Sequence, residues 1–496
     1  MLISGLVLIV AVGAVRLSSR TGLPSLLIYL GIGVIMGQDG LGLSFDDAEL
    51  TQVLGYAALV MILAEGGLAT KWRDIRPAVP AAAVLSTLGV GVSVVVTAAA
   101  AHYLVGLDWP PALILGAVVS STDAAAVFSV LRTVPLPKRL SGMLEAESGF
   151  NDAPVVILVV AFSALEQEPA PWYLLLAKIA LQLAIGLGVG LAVGKIGETG
   201  LRQVALPASG LYPIAVLALC VLAYAGGAIA QGSGFLAVYV AALILGNAKL
   251  PHRPAVRGFA DGLAWISQIG LFVLLGLLVT PADLVADFWP AILVGLALTL
   301  VARPLSVIVC LLPFRQPWRD QALLSWAGLR GAVPIVLATI PMVSGVEASD
   351  RIFNIVFVLV VVFTVVQGPT LPWLARVLRL AGDTTTDVDI ESAPLERLRG
   401  HLLSVSIPDA SRMHGVEINE LRLPPGAAVT LVVRAGRSFV PLPTTVLARG
   451  DELLVVTTDP VRDATERRLL AVGRGGKLAD WLAGGEDRPR KAERNL

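Results

Sequence analysis

The chain has 496 residues, of which 56% are hydrophobic and 15% are charged, and its mean hydropathy is +0.79. Soluble domains carry about 25% charged residues, so this composition excludes an ordinary soluble protein and indicates a polytopic membrane protein. The 37 basic and 37 acidic residues balance, which argues against a nucleic-acid partner. Cys220 and Cys310 lie in separate apolar runs, and we interpret them as packing residues rather than as a disulfide or metal pair.

Apolar runs long enough to cross a bilayer, about 20 residues each, follow one another as far as residue 380. The first run is interpreted as a spanning helix rather than a signal peptide, because its basic residues, Arg16 and Arg20, follow the apolar stretch. We predict an all-α region of thirteen transmembrane helices at about 2–15, 23–36, 51–68, 78–105, 111–131, 146–165, 172–194, 211–231, 233–248, 258–280, 289–312, 323–343 and 352–377.

The loop charges support this count. Loops after odd-numbered spans are rich in Lys and Arg, whereas Arg351 is the single basic residue in the loops after even-numbered spans. The positive-inside rule therefore places the N-terminus outside and the C-terminus in the cytoplasm. The count requires the segment 231–234, with the sequence Gln-Gly-Ser-Gly, to be a very short outer turn between spans eight and nine.

The composition changes after residue 380. We predict a transmembrane domain at 1–380, a linker at 381–399, a small α/β cytoplasmic domain at 400–472 and a flexible tail at 473–496. Within the small domain we predict strands at 402–407, 429–433 and 452–457, a short helix at 416–421 and a helix that begins at Asp459.

Span six carries an unusual group of polar residues. Glu147, Ser148, Asn151 and Asp152 have the spacing i, i+1, i+4 and i+5, so they share one stripe of a helix. A carboxylate near the centre of a membrane helix costs roughly 2.5–3.5 kcal/mol, which favours a functional role. We predict that one cation and one proton compete for Asp152, with hydroxyl oxygen from Ser148 and hydroxyl or carbonyl oxygen from Thr122 as further ligands.

Two spans are predicted to be interrupted. In span five, Ser120, Ser121, Thr122 and Asp123 lie in mid-membrane, and such residues favour helix starts over helix interiors. Asp123 either caps the second half-helix or takes part in cation binding. Span twelve contains two glycines, an arginine and a proline within 326–334 and runs in the opposite direction. Paired interrupted helices of opposite orientation indicate an inverted-repeat transporter whose site lies where they cross.

Arg330 in span twelve needs an acidic partner, because a guanidinium stays charged within the membrane. We predict a structural ion pair between Glu147 and Arg330 that braces spans six and twelve. Arg303, deep in span eleven, either snorkels or forms a pair.

These motifs together, at 147–152, 122–123 and 328–332, resemble the sodium/proton exchanger family of monovalent cation:proton antiporters, in its NhaP-like bacterial branch. The similarity covers about 1–380, and the segments 120–130 and 325–338 look most like the potassium/proton antiporters of that branch. The segment from about 400 to 472 looks like a TrkA-C ligand-binding domain.

The resemblance implies that Asp152 binds cation and proton in turn, and that Thr122, Ser148 and Asn151 form or support the site. It also implies a Glu147–Arg330 ion pair, a homodimer, thirteen helices and electroneutral exchange. No cofactor is expected, but a regulatory nucleotide or another ligand is expected at the C-terminal domain.

We therefore expect an antiporter in the plasma (inner) membrane, in contact with membrane lipids, that exchanges K⁺ or Na⁺ for H⁺, with K⁺ favoured. Two alternatives stay open, a cation channel and an ion-binding membrane sensor. A channel would need a selectivity filter or pore helices. An enzyme is not expected, because the spans show no Ser/His pair, metal cluster or paired catalytic carboxylates.

Overall fold

The computed structural model describes residues 5, 7–13, 25–43, 45, 47–123, 126–127, 130, 134, 136–165, 171–204, 206–380, 389–395 and 400–479. Contacts divide the chain into two compact units, Met1–Ala381 and Gly382–Leu496. Each unit has its own hydrophobic core.

The first unit is all-helical, and its helices correspond to the predicted spans. Residues 7–13 belong to α1. The next helices are α2 (Ser25–Met36), α3 (Ala48–Ala69), α4 (Val79–Val105), α5a (Trp109–Val118), α6 (Lys138–Leu165) and α7 (Trp172–Gln203). They are followed by α8 (Leu211–Ile229), α9 (Gly234–Asn247), α10 (Arg253–Leu277), α11 (Pro281–Phe314), α12a (Trp318–Trp326), α12b (Ala332–Val343) and α13 (Ser349–Val377). A one-turn helix, Trp72–Ile75, lies between α3 and α4.

Among the described residues, eight of these helices are long and apolar enough to cross a membrane, and four more are shorter apolar helices. The predicted all-α polytopic membrane fold is confirmed. Part of the first predicted span and most of the second half of the fifth lie outside the described residues. The sixth helix begins at Lys138, earlier than predicted, because its first turns are polar and hydropathy detects only its apolar part.

The predicted tight turn between spans eight and nine is present. α8 ends at Ile229, Gln231 adopts a positive φ of 58°, and α9 begins at Gly234. Ser233 is the N-cap of α9, because its hydroxyl accepts a hydrogen bond from the Leu236 amide at 3.4 Å. The two spans are therefore separate helices, as the alternation of loop charges requires.

A stripe of small residues brings α7 close to its neighbours. Gly186, Gly190, Gly194 and Gly197 are buried at spacings of three or four residues. A Cβ atom on Gly186 would lie 2.5 Å from the Ser233 carbonyl oxygen, and one on Gly190 would lie 2.7 Å from the Ala237 carbonyl oxygen. Small residues allow membrane helices to approach this closely, so side chains here would push α7 away from α9.

The second unit contains a five-stranded antiparallel sheet in the order β1-β2-β5-β3-β4. Its strands are β1 (Asp389–Leu395), β2 (Gly400–Ser406), β3 (Ala427–Arg434), β4 (Arg437–Phe439) and β5 (Glu452–Thr458). Helix α14 (Arg462–Gly475) contributes Leu469 and Val472 to the core beneath the sheet. Single-turn 3₁₀ helices occur at Ile418–Leu421, Asp459–Val461 and Gly476–Leu478.

The structure corrects three details of this unit. β1 lies within the segment predicted to be a linker, where it pairs with β2 as an edge strand. Its sequence includes two acidic residues and a proline, which suit an edge because one side of an edge strand lacks a partner strand. The predicted short helix at 416–421 is a 3₁₀ turn. β4 was not predicted, because only three residues form it, beyond the Ala435-Gly436 turn whose φ values are 50° and 76°.

Candidate ion-binding site

Asp152 lies on α6 facing the interruption of span five, and its exposed fraction is 7%. α5a ends at Val118, where the Ser120 hydroxyl donates to the Gly116 carbonyl at 2.6 Å. Residues 121–123 are then non-helical, and the Ser121 hydroxyl donates to Asp152 Oδ1 at 2.7 Å. Unwound backbone at membrane depth is tolerated where it is enclosed by protein or lines a cavity. The break thus brings a hydroxyl directly to the buried carboxyl group.

The predicted polar stripe of α6 meets Thr122 in the same break. Ser148 Oγ donates to the Thr122 carbonyl oxygen at 3.0 Å, and Asn151 Nδ2 donates to Thr122 Oγ1 at 2.6 Å. Asn151 Oδ1 is buried and has no hydrogen-bond partner among the described residues. The structure therefore brings together Asp152, Asn151, Ser148 and Thr122, four of the five predicted site residues.

Oxygen atoms dominate this cluster. The carboxylate of Asp152, the hydroxyls of Ser121 and Ser148 and the unpartnered amide oxygen of Asn151 are hard donors, which suit alkali cations better than soft metals. Within the described part of the chain, no group of three or more His, Cys, Asp or Glu residues could hold a metal ion. A single carboxylate with neutral oxygens around it fits a singly charged cation.

Ser121 is a site residue that the sequence analysis did not select. It was visible within the predicted break, but the helical stripe of α6 gave no reason to prefer it over Ser120. A break exposes side chains whose direction does not follow helical spacing, so only the folded backbone shows that Ser121 reaches Asp152 while Ser120 bonds to its own helix.

The Asp123 carboxylate lies at the N-terminal ends of two helical segments. Its Oδ1 accepts a hydrogen bond from the Ala126 amide at 3.2 Å, which is the capping role considered for it. Its own amide donates to the Leu329 carbonyl oxygen at 2.9 Å, which joins the two interrupted spans. A Cβ atom on Gly331 would lie 1.9 Å from Asp123 Oδ2, so the carboxylate rests against the N-terminal end of α12b. A negative charge is favourable at both positions.

The predicted ion pair between Glu147 and Arg330 is wrong. Arg330 Nε donates to the Val119 carbonyl oxygen at 2.6 Å, and Arg330 Nη1 donates to the Gly328 carbonyl oxygen. Val119 directly follows α5a, whose last carbonyl groups lack helical partners. The guanidinium therefore donates to a carbonyl group at the C-terminal end of an interrupted helix. The sequence of span twelve does not show that this carbonyl group needs a donor.

Glu147 instead pairs with Arg303, whose role the sequence left open. Arg303 Nη1 donates to Glu147 Oε1 at 2.5 Å and Arg303 Nη2 donates to Glu147 Oε2 at 2.9 Å. The side chains are only 7% and 3% exposed. Arg303 directly follows a π-helical turn, Leu298–Ala302. The backbone of Glu147 is also bound, because Ser86 Oγ donates to its carbonyl oxygen at 3.0 Å. The bidentate pair joins α6 to α11. Both carboxylate oxygens of Glu147 therefore bind Arg303 beside the site.

A helical membrane unit in which two interrupted spans meet beside one buried carboxylate defines a secondary transporter. The family model described as "Sodium/hydrogen exchanger, transmembrane" matches residues 6–377, and the TrkA-C domain model matches residues 402–470. The chain belongs to the sodium/hydrogen exchanger family, so the family predicted from its motifs is confirmed.

Relatives of established name agree with this assignment. The chain is 37% identical over 464 residues to the K(+)/H(+) antiporter NhaP of Alkalimonas amylolytica, covering 92% of this chain and 80% of the relative. It is 36% identical over 472 residues to the K(+)/H(+) antiporter NhaP2 of Shewanella oneidensis, with the same coverage. The sodium proton antiporter MjNhaP1 of Methanocaldococcus jannaschii has a similar fold, with a TM-score of 0.66 and 22% identity over 77% of this chain and 98% of that one.

Proposed function

We propose that this protein exchanges K⁺ for H⁺ across a membrane with one proton per cation, and that the two compete for Asp152. Na⁺ is the alternative cation. The observation that carries the proposal is the single buried carboxylate at the break of span five, surrounded by neutral oxygen donors. The choice of K⁺ is supported by relatives of 36–37% identity that are named K⁺/H⁺ antiporters.

Charge accounts for the coupling. A buried carboxylate without a counter-charge is costly, so Asp152 is neutralised either by a proton or by a bound cation. Asn151 beside it is neutral, and both carboxylate oxygens of Glu147 accept hydrogen bonds from Arg303, so Glu147 is not available to the exchanged ions. With one exchangeable charge in the site, either form of the loaded site carries the same net charge, so exchange is electroneutral.

Each neighbouring residue has a distinct task in this scheme. Ser148 donates its hydroxyl proton to the Thr122 carbonyl, which orients Ser148 Oγ as an oxygen ligand of the cation. Asn151 Nδ2 donates to Thr122, so the unpartnered Oδ1 is the atom of this side chain that can coordinate a cation. Ser121 donates to Asp152 Oδ1 and stabilises the ionised carboxylate that a cation requires. Asp123 maintains the crossing of the two spans rather than contacting the cation.

Orientation, membrane and assembly are part of the same proposal. The alternation of loop charges supports an outer N-terminus and a cytoplasmic C-terminus, in the plasma membrane. A homodimer is supported by the long apolar surface of α7, little of which is buried within this chain.

The second unit is proposed to be a regulatory domain that binds a nucleotide or another small ligand. Its described part extends beyond the predicted bounds 400–472, because β1 lies within the predicted linker 381–399 and helical structure continues to Leu478 within the predicted tail 473–496. Its separate core and its match to the TrkA-C domain model support this role.

The test is dissipation of a pH gradient in proteoliposomes that contain the full-length protein, with K⁺, Na⁺, Li⁺ or Rb⁺ added outside. Wild-type protein should dissipate the gradient with K⁺ at a rate independent of an imposed membrane potential. Asp152→Asn should abolish this activity, whereas Lys249→Gln, an exposed change outside the site, should preserve it. A rate that follows the membrane potential would contradict exchange of one proton per cation, and full activity of Asp152→Asn would refute the proposed site.

A further inference from the structure

A large apolar cavity lies beside the ion site, between helices α4, α6, α7 and α9. Its volume is about 700 Å³, within the roughly 300–1,000 Å³ of pockets that enclose a ligand. Phe150 and Pro154 of α6 form part of its wall, so it adjoins the segment that carries Asn151 and Asp152. Ser148, Asn151 and Asp152 themselves are not among its lining residues.

The cavity has an apolar body and one polar end. Ser86 and Thr87 lie in its wall, but their hydroxyl protons are used by the Glu147 carbonyl at 3.0 Å and the Ala83 carbonyl at 2.7 Å. The charged lining residues, Lys195 and Glu198, occur together near the end of α7. A long hydrocarbon with a polar head at one end matches this distribution, whereas a hydrated ion does not.

The cavity extends for about the depth of one leaflet. Its lining residues run from Leu236 to Asn247 on α9, a distance of about 17 Å at the helical rise of 1.5 Å per residue. Half of a hydrocarbon core is about 15 Å. The polar end lies on the side of the basic loops, so the space fits one acyl chain that enters from that leaflet.

The polar end also carries a surplus of positive charge. Glu198 accepts a salt bridge from Lys195 at 2.9 Å and another from Arg202 at 2.9 Å, so two cations share one anion. The Lys195 side chain is 69% exposed, so its ammonium can contact a headgroup while it pairs with Glu198. Trp72 lines the same end, and tryptophan favours the headgroup level of a bilayer.

We propose that this cavity is a binding site for an anionic phospholipid of the cytoplasmic leaflet. One acyl chain lies against Leu187, Val240 and Phe150, and the phosphate is held by Lys195. The lipid would form part of the wall behind the ion site, so membrane composition would act directly on α6. The orientation of the leaflet rests on the proposed topology, but the presence of the lipid does not.

The test uses full-length protein in proteoliposomes that contain a trace of phosphatidylglycerol with a photoreactive acyl chain. After illumination, labelled peptides are located by mass spectrometry. Two exposed leucines on α7 provide a matched pair, because Leu187 lines the cavity and Leu181 does not. Leu187→Trp should lower labelling of the α7 and α9 cavity peptides about tenfold, and Leu181→Trp should leave it at the wild-type level. Equal labelling in both variants would show annular lipid only and would overturn the proposal.

The headgroup is tested separately by competition with unlabelled lipid. Phosphatidylglycerol should displace the probe better than phosphatidylcholine, and Lys195→Gln should reduce this preference about fivefold, while Lys249→Gln should not. A preference unchanged in Lys195→Gln would overturn the assigned headgroup contact. Absence of label from the cavity peptides, as when a second copy of the chain covers this face, would overturn the site itself. Retained cation/proton exchange in an unlabelled protein would separate that failure from failure of the proposed function.

Discussion

The corrected pairing of Glu147 gives a quantitative prediction about stability. Replacing Arg303 with Met leaves the Glu147 carboxylate buried without the two charge-assisted hydrogen bonds at 2.5 and 2.9 Å. Each such bond contributes about 1.5–3 kcal/mol, and loss of one partner of a buried pair costs about 3–5 kcal/mol. Arg303→Met should therefore lower the unfolding temperature of the purified protein by several degrees.

A double-mutant cycle tests whether the loss comes from this pair. Glu147→Gln removes the stranded charge, so the double variant Glu147→Gln with Arg303→Met should be more stable than Arg303→Met alone. The coupling free energy should approach ~3 kcal/mol, the upper end for residues in direct contact. The matched control combines Glu147→Gln with Arg330→Met, and it should show weaker coupling because Arg330 donates to Val119 and Gly328 rather than to Glu147. Additive effects in the first cycle and strong coupling in the second would refute the assignment.

Three further predictions follow from the site and the second unit. Ser121→Ala should raise the cation concentration for half-maximal exchange about tenfold, since it removes a hydrogen bond to the ionised Asp152; an unchanged half-saturation would contradict this. Arg330→Met should destabilise the protein by ~1–3 kcal/mol, because the Val119 carbonyl loses its donor, and a thermal scan equal to wild type would count against it. Arg434 is a pH-dependent stabiliser of the second unit: although burial acts in the opposite direction, its hydrogen bonds to Asp451 hold the pKa of that carboxyl below its ordinary value. A lowered folded-state pKa adds stability above the unfolded pKa of about 3.9 and loses it as pH falls further. Limited proteolysis should therefore cleave Arg434→Met faster than wild type at pH 7, with the difference shrinking below pH ~4, and a constant difference would contradict the assignment.

The membrane helices could be predicted because their signals are local. Each apolar run and each basic loop is contiguous in sequence, so hydropathy and loop charge together locate the spans. Even the turn at 231–234, which has only Gln, Gly and Ser, was required by the alternation of charges and is present. Boundaries were less certain where a helix extends into polar sequence, as at Lys138, or where a short edge strand such as β1 follows a polar segment.

In the candidate site too, contacts within one helix could be predicted and contacts between helices could not. Ser148, Asn151 and Asp152 share one helix, so their proximity follows from helical spacing. The partners that come from other helices were harder to predict. Glu147 and Arg303 are 156 residues apart. The sequence contains two arginines that could pair with Glu147, and it does not show that Arg330 instead donates to the carbonyl group at the end of α5a. Tertiary contacts decide this choice, and spacing within one helix carries no information about them.

The central claim is that a proton and a cation occupy Asp152 in turn. Calorimetric titration of K⁺ into the purified protein, repeated in buffers of different ionisation enthalpy, counts the protons released for each cation bound. Asp152→Asn serves as the matched control. We expect one proton released per K⁺ in the wild-type protein and none in the variant. Binding of K⁺ without proton release in the wild type, or undiminished release in Asp152→Asn, would contradict it.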